Sequence, residues 1–382
     1  MKQTPSAGTL TRPYPASAAK APSGAQAATA AAPMQRGLSL YLDLLRFVLA
    51  LTVMIGHASD PSYVGSSSVI AHFPQYGLTS VIGFFVLSGF VIAHVTQGSE
   101  RDPRRYFAAR AARMYSVILP ALLLTAVLGI CGALIDPTVY AQGPIHIGAH
   151  QPLRYLLTAL FVHDFWIWPK EMTPGVNHPF WSLSYEVTYY VIFGLMLIRR
   201  PLVTAAGSVL LLILAGPTIA ALFPIWLLGV AAYHAARRFT LPLPVAVLLL
   251  TGSIAGLYLS GAHRGLDDPV NLFAVDYVEG LLFAVNIVAA GSMAPLLNHA
   301  LGWCPRFVRW LGMLTFALYL CHRPLLYFFS ALRVAEPTSS LQLVWLFGMT
   351  LLVVIGMAHL GEWLRRRMRE RLFVGRRAAQ LT

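Results

Sequence analysis

The chain has 382 residues, of which 57% are hydrophobic and only 11% charged, with a mean hydropathy of +0.64; soluble domains carry roughly 25% charged residues. This composition excludes an ordinary soluble fold and predicts an all-α, polytopic membrane helix bundle. The net charge of +13 would suit a nucleic-acid partner, but its distribution along the chain argues against one, and Cys131, Cys304 and Cys321 form no C-x-x-C pair that would mark a thiolate zinc site or a disulfide framework.

Residues 1–37 are rich in Ala, Pro, Ser and Gln and lack helical periodicity, so a disordered cytoplasmic tail is expected, with no cleavable signal peptide. The transmembrane domain is expected over 38–365, and a basic cytoplasmic tail over 366–382. Within that domain, apolar runs near the ~20 residues needed to span hydrocarbon predict about ten transmembrane helices: 39–58, 76–96, 114–135, 181–198, 201–219, 221–236, 243–260, 275–297, 311–331 and 341–363. A tight Pro-bearing turn must split the fifth from the sixth between Gly216-Pro217 and Pro224. Segment 153–168 is apolar but short, and the Pro-rich stretch 169–179 follows it; it is predicted to be an interfacial or re-entrant helix.

With both termini placed in the cytoplasm, most of the 28 basic residues fall on the cytoplasmic side, including Arg101, Arg104, Arg105, Arg110, Arg113 and the arginines from Arg365 to Arg377. The outer loops hold only Arg154, Lys170, Arg264 and Arg333, as the positive-inside rule demands. The excess positive charge is therefore a topology signal.

The first predicted span, Ser39–Ser59, carries Asp43, Arg46 and His57. On an α-helix the step from Arg46 to His57 leaves them about 20° apart and roughly 16 Å along the axis. A charge near the bilayer centre costs about 2.5–3.5 kcal/mol on insertion scales, so a line of ionisable groups points to function. Other polar positions follow: Ser88-Gly89 in the second span, Arg110 and Arg113 at the mouth of the third, Trp181-Ser182-Leu183-Ser184-Tyr185-Glu186 opening the fourth, and Tyr319-Leu320-Cys321-His322-Arg323-Pro324 in the ninth.

Each has a plain structural reading. Ser88-Gly89 would let helices approach closely, Arg110 and Arg113 would anchor topology, and Trp181 and Tyr185 would join an aromatic belt. His322-Arg323 would pair with Glu186 or Asp43, and His57 would be merely interfacial. His146 and His150 stand four apart in a Gly/Pro-rich loop without a third ligand, so no metal site is expected; His163-Asp164 is a weaker candidate for orienting a substrate. Taken together, helix-borne His, Arg, Glu and Ser residues on four separate spans imply a polar cavity within the bundle.

These motifs resemble the acyltransferase 3 family of integral membrane O-acyltransferases: Arg46 and His57 separated by ten residues, Phe84–Phe90, Arg110-x-x-Arg113, Trp181–Glu186 and Tyr319–His322, spread over about 38–365. The resemblance implies an acyl-CoA co-substrate, usually acetyl-CoA, reached from the cytoplasm, with no tightly bound cofactor. It implies as acceptor a hydroxyl of a lipid-linked or exported glycan or other exported acceptor, or sometimes of a small molecule, and as location the bacterial inner membrane, among membrane lipids. Some relatives carry an appended hydrolase-like domain, for which no room is expected here. On this basis His57, Arg46 and Glu186 are the expected catalytic residues, with His57 as general base. Arg110, Arg113 and Ser88 are expected to bind the donor, and Trp181, Ser184, Tyr319 and His322 to orient substrate. The rival reading is a transporter or flippase for a glycan or lipid, with the polar residues gating a pathway.

Overall fold

The computed structural model describes residues 33–59, 76–141, 150–169, 172–262 and 269–378. The expected N-terminal tail lies outside these residues except for its last five positions, as does His146. Among the described residues the chain is helical without strands: α1 Arg36–Ala58, α2 Tyr76–Gln97, α3 Pro103–Ile135, α4 Pro137–Ala141, α5 Gln151–Ala159, a 3₁₀ turn His178–Phe180, α6 Trp181–Met196, α7 Pro201–Ala215, α8 Pro217–Arg238, α9 Leu243–Ala262, α10 Pro269–Ser292, α11 Ala294–Leu301, α12 Pro305–Ala331 and α13 Ser340–Ala378.

All ten predicted segments are helical, but eight of the described helices, not ten, are long and apolar enough to cross a membrane: α1, α2, α3, α8, α9, α10, α12 and α13. Helices α6 and α7 have 16 and 15 residues, and at 1.5 Å per residue neither reaches the ~30 Å of a hydrocarbon core alone. The turn between α7 and α8 falls at the start of the expected stretch, ahead of the predicted end of the fifth segment at 219. Gly216 takes φ +105°, a backbone conformation reserved for glycine, and Pro217 starts α8 while Pro224 sits inside it. The predicted span 275–297 is interrupted at Met293, which divides α10 from α11. Segment 153–168 yields only the nine-residue α5 followed by turns, too short to span. At the far end, α13 carries the basic segment as continuous helix to Ala378.

The core is assembled around α1, α2, α12 and α13. Helix α1 packs between α2 and α12, α2 lies against α8, and α12 against α3 and α13. The α2–α8 crossing is set by two glycines. A Cβ on Gly89 would stand 2.1 Å from the Trp226 carbonyl oxygen, and one on Gly229 1.9 Å from that of Val86. The backbones therefore touch, as small residues permit in membranes, and the close approach turns the neighbouring Ser88 toward α6. Outward faces carry exposed apolar side chains such as Leu248, Ile254, Leu259 and Leu352, which suit a lipid environment.

Pro324 shapes α12 locally. Lacking an N–H, it leaves the carbonyl of Leu320 without its helical donor, and the buried Asn177 supplies one through Nδ2 at 2.8 Å. The same amide donates to Thr125 Oγ1 at 2.9 Å. One buried side chain thus ties the segment before α6 to both α3 and α12.

Candidate active site

A cavity of about 330 Å³ opens among α1, α2, α3, α6, α12 and α13. Its lining comes from the first half of α1, α3 and α12, the middle of α2, the first turns of α6 and the second half of α13. Five arginines (Arg46, Arg110, Arg113, Arg309 and Arg365) face it against three carboxylates, Asp43, Glu186 and Glu362.

The acids hold the arginines in place. Asp43 pairs with Arg46 at 3.5 Å on its own helix and with Arg309 from α12. Gly312, whose Cβ would meet Asp43 at 2.8 Å, leaves room for that carboxylate. Glu362 pairs with Arg365 and Arg366. Arg110 is buried; its Nη2 donates to Glu100 at 2.6 Å, and its guanidinium lies over the rings of Tyr106 and Tyr190 at 5.7 and 5.8 Å. Its Nε has no hydrogen-bond partner among the described residues. Such planar, permanently charged forks match phosphate.

Deeper in the cavity, Ser88 Oγ donates to Glu186 Oε1 at 3.0 Å and accepts from Trp226 Nε1 at 3.2 Å, while the Tyr190 hydroxyl bonds the same carboxylate oxygen. Ser182 Oγ and the Tyr319 hydroxyl share a bond of 2.7 Å at the cavity wall. Of the expected residues, Arg46, Ser88, Arg110, Arg113, Glu186 and Tyr319 therefore meet in one chamber.

His57 does not line this chamber. It lies about 16 Å further along α1 than Arg46, in a second polar cluster with His322 and Arg323. The imidazoles of His57 and His322 stack with centroids 5.3 Å apart, and Tyr319 lies 6.4 Å from the His322 ring. Arg323 Nη1 contacts His57 Nδ1 at 3.3 Å. Guanidinium only donates, so Nδ1 presents its lone pair and the neutral ring carries its proton on Nε2. In His322 the order is reversed. Nδ1 faces the Leu318 carbonyl at 2.9 Å and must donate, so Nε2 keeps a lone pair. That Nε2 is buried and without a hydrogen-bond partner among the described residues.

Ser184 and Trp181 face elsewhere. Ser184 Oγ bonds His163 Nδ1 at 3.2 Å and accepts the Asp164 amide at 3.3 Å, while His163 Nε2 donates to the Phe180 carbonyl at 3.1 Å. His163 is thus fully engaged in pinning residues 160–168 to α6, and burial pushes its pKa down to about 4. Trp181 packs edge-on against Tyr185 at 5.0 Å and lines a second cavity.

Sequence reasoning missed the roles of Arg309, Glu362 and Arg365, and it gave His322-Arg323 the wrong partners: Arg323 meets His57, 266 positions away, while Asp43 pairs with Arg46 and Arg309 and Glu186 bonds Ser88 and Tyr190. Tyr190 was detectable one turn beyond Glu186. It also missed buried Glu279 in α10, which bonds Thr79 and Ser260 away from the chamber. Among the described residues no group of three His, Cys, Asp or Glu side chains is arranged to hold a metal ion.

A family model described as an acyltransferase domain, Acyl_transf_3, matches residues 39–359. The chain is also 24% identical over 306 residues to acyltransferase MdmB of Streptomyces mycarofaciens, covering 73% of this chain and 76% of that protein. No solved structure matches. With this match over most of its length, and with a helical bundle enclosing a polar chamber, the chain belongs to the acyltransferase 3 family and is an integral membrane acyltransferase.

Proposed function

We propose that the protein moves an acyl group, acetyl in the simplest case, from acyl-CoA to a hydroxyl of a glycan or lipid-linked saccharide acceptor. The observation that carries this reading is the arginine-rich chamber. Coenzyme A is polyanionic, and five arginines against three carboxylates leave the chamber with a net positive lining. Arg110 and Arg113 of its lining follow closely on Arg101, Arg104 and Arg105, a basic cluster that the positive-inside rule would put on the cytoplasmic side. Arg113 and Arg110 take the phosphates there. The thin pantetheine arm extends past Ser88 and Glu186 toward Tyr319 and the two histidines, along the roughly 16 Å that separates Arg46 from His57.

At the histidine cluster the acceptor hydroxyl oxygen attacks the thioester carbonyl. A C–O bond forms, the C–S bond breaks, and the hydroxyl proton passes through imidazole to the departing thiolate, releasing CoA as the thiol. The sequence expectation assigns proton acceptance to His57. The hydrogen bonds favour the pair acting together: His322 Nε2 offers the free lone pair, and His57 becomes a base at Nε2 only when it carries its proton on Nδ1 and turns from Arg323. In the arrangement seen, His57 Nε2–H is a donor suited to the developing oxyanion. Glu186 accepts from Ser88 and Tyr190 and so holds both in place along the donor path.

Purified protein given acetyl-CoA labelled in the acetyl group should release free CoA and label an added acceptor or water, and His57→Ala should stop both. A transporter would show neither reaction.

A further inference from the structure

Helix α12 carries His322 and Arg323 on a turn that its own backbone cannot close. We propose that Asn177, which lies outside that helix, is a positioning residue for the reaction: it holds the broken turn so that His322 and Arg323 meet His57. This deepens the reading of the two histidines as the reacting pair and rests on it; what it adds is the group that keeps them in register.

The break comes from Pro324, inside α12. Without an N–H it cannot donate to the Leu320 carbonyl, and its ring crowds that carbonyl outward. The residues on this turn make the contacts of the histidine cluster. His322 Nδ1 is anchored on the Leu318 carbonyl at 2.9 Å, and Arg323 Nη1 reaches His57 Nδ1 at 3.3 Å. A rotation of the one turn would move both contacts together. In an unbroken helix each carbonyl is held by the N–H four residues on. Here Asn177 Nδ2, 2.8 Å from the Leu320 carbonyl oxygen, stands in for the missing donor.

The orientation of the Asn177 amide is the second observation. The Leu320 carbonyl can only accept. The Thr125 hydroxyl donates to the Ala121 carbonyl at 2.7 Å, so toward Asn177 it offers a lone pair. Both neighbours of the amide nitrogen therefore demand a donor, and both of its hydrogens are used. Its Oδ1 is left buried without a hydrogen-bond partner among the described residues. Such a group costs free energy and is uncommon. A side chain kept for packing alone has no need of an amide there; this one serves two acceptors at once.

The third is that Asn177 is itself fixed. Its backbone N–H donates to the Pro174 carbonyl at 2.9 Å, and His163 Nε2 bonds the Phe180 carbonyl three residues on. Ser182 Oγ shares its 2.7 Å bond with the Tyr319 hydroxyl. The stretch 177–182 thus grips α12 at two successive residues, Tyr319 by its side chain and Leu320 by its backbone. Through Thr125 the same amide is tied to α3.

The test measures kcat and KM for acetyl-CoA with the full-length protein in nanodiscs, counting donor-binding sites by titration with labelled CoA so that misfolded protein is discounted. Asn177→Leu removes both donated bonds, and Asn177→Asp keeps the shape but turns an acceptor toward two acceptors. Each should lower kcat per donor-binding site by about 10- to 100-fold, since a misplacement of about 1 Å costs on the order of 10²-fold, with the KM for acetyl-CoA held at its wild-type value. Pro324→Ala restores the missing backbone N–H, so the loss caused by Asn177→Leu should shrink by about threefold or more when Pro324→Ala is already present. Wild-type kcat in both Asn177 variants, an equal loss with and without Pro324→Ala, or activity lost only in step with donor-binding sites would overturn the assignment. His57→Ala and His322→Ala run alongside separate the two readings. Full kcat in the Asn177 variants beside inactive histidine variants would sink this inference and leave the histidine pair standing. Full turnover by both histidine variants would sink the pair, and the target assigned to Asn177 with it.

Discussion

The imidazoles of His57 and His322 stack 5.3 Å apart with opposite hydrogen-bonding polarity, one ring accepting from Arg323 at Nδ1 and the other donating to Leu318 from Nδ1. The pair therefore offers one N–H and one lone pair side by side, which is what proton removal and oxyanion stabilisation require together. Replacing His57 or His322 by Ala should each lower kcat by about 10²–10⁴-fold. Thermal unfolding and detergent elution would show whether the fold is retained; wild-type turnover by the His322 variant would return the base role to His57 alone.

Arg113 and Arg110 face the same chamber but are held differently. Arg110 is clamped by Glu100 and two tyrosines, so Arg110→Ala should lower both stability and donor affinity. Arg113→Ala should raise the KM for acetyl-CoA by about 10- to 100-fold, the worth of a charge-assisted bond of roughly 1.5–3 kcal/mol. Added salt should weaken donor binding in the wild type more than in Arg113→Ala. Equal salt sensitivity in titrations of the two proteins would remove Arg113 from the donor site.

Gly89 and Gly229 make a stability prediction independent of chemistry. Gly89→Val places a Cβ 2.1 Å from a backbone carbonyl that cannot swing aside. Overpacking typically costs about 1–3 kcal/mol, and here the helices themselves must separate. A clear fall in the thermal midpoint is expected, together with lost activity as Ser88 moves off Glu186.

Much of this was legible in the sequence, for reasons specific to membranes. Arg46, Ser88 and Glu186 stand out because polar groups in apolar runs are costly, Arg110 and Arg113 because they sit at the mouth of a span, and the structure gathers all five in one chamber. The helices were legible as apolar runs; that α6 and α7 stop short of spanning, and that the chain breaks at Met293, were not. Ser184 looked like a substrate contact but serves His163, because which face of α6 meets which neighbour depends on tertiary packing. The His57–Arg323 contact and the Asn177 bond to the carbonyl freed by Pro324 join residues 266 and 143 positions apart. No local pattern encodes such distances.

Asp164 and His163 predict opposite pH behaviour. Burial raises the Asp164 pKa from 3.8 to about 6, so its contribution to stability is complete below 3.8 and is lost as pH rises through 6. Burial lowers His163 from 6.5 to about 4, so its contribution is present above 6.5 and is lost as pH falls through 4. Asp164→Asn should therefore gain thermal stability relative to wild type as pH rises from 4 to 7. A thermal-stability difference that stays flat across that window would assign the titration elsewhere.

The central claim is that the arginine chamber delivers an acyl thioester to the paired imidazoles. Its most direct test is transfer of label from [¹⁴C]acetyl-CoA by the purified, lipid-reconstituted protein, comparing wild type with His57→Ala. Label leaving CoA in the wild type, and staying on it in a variant that still binds the donor, is the predicted result. Full transfer by His57→Ala, or intact acetyl-CoA alongside wild-type movement of a glycan across the vesicle membrane, would contradict it.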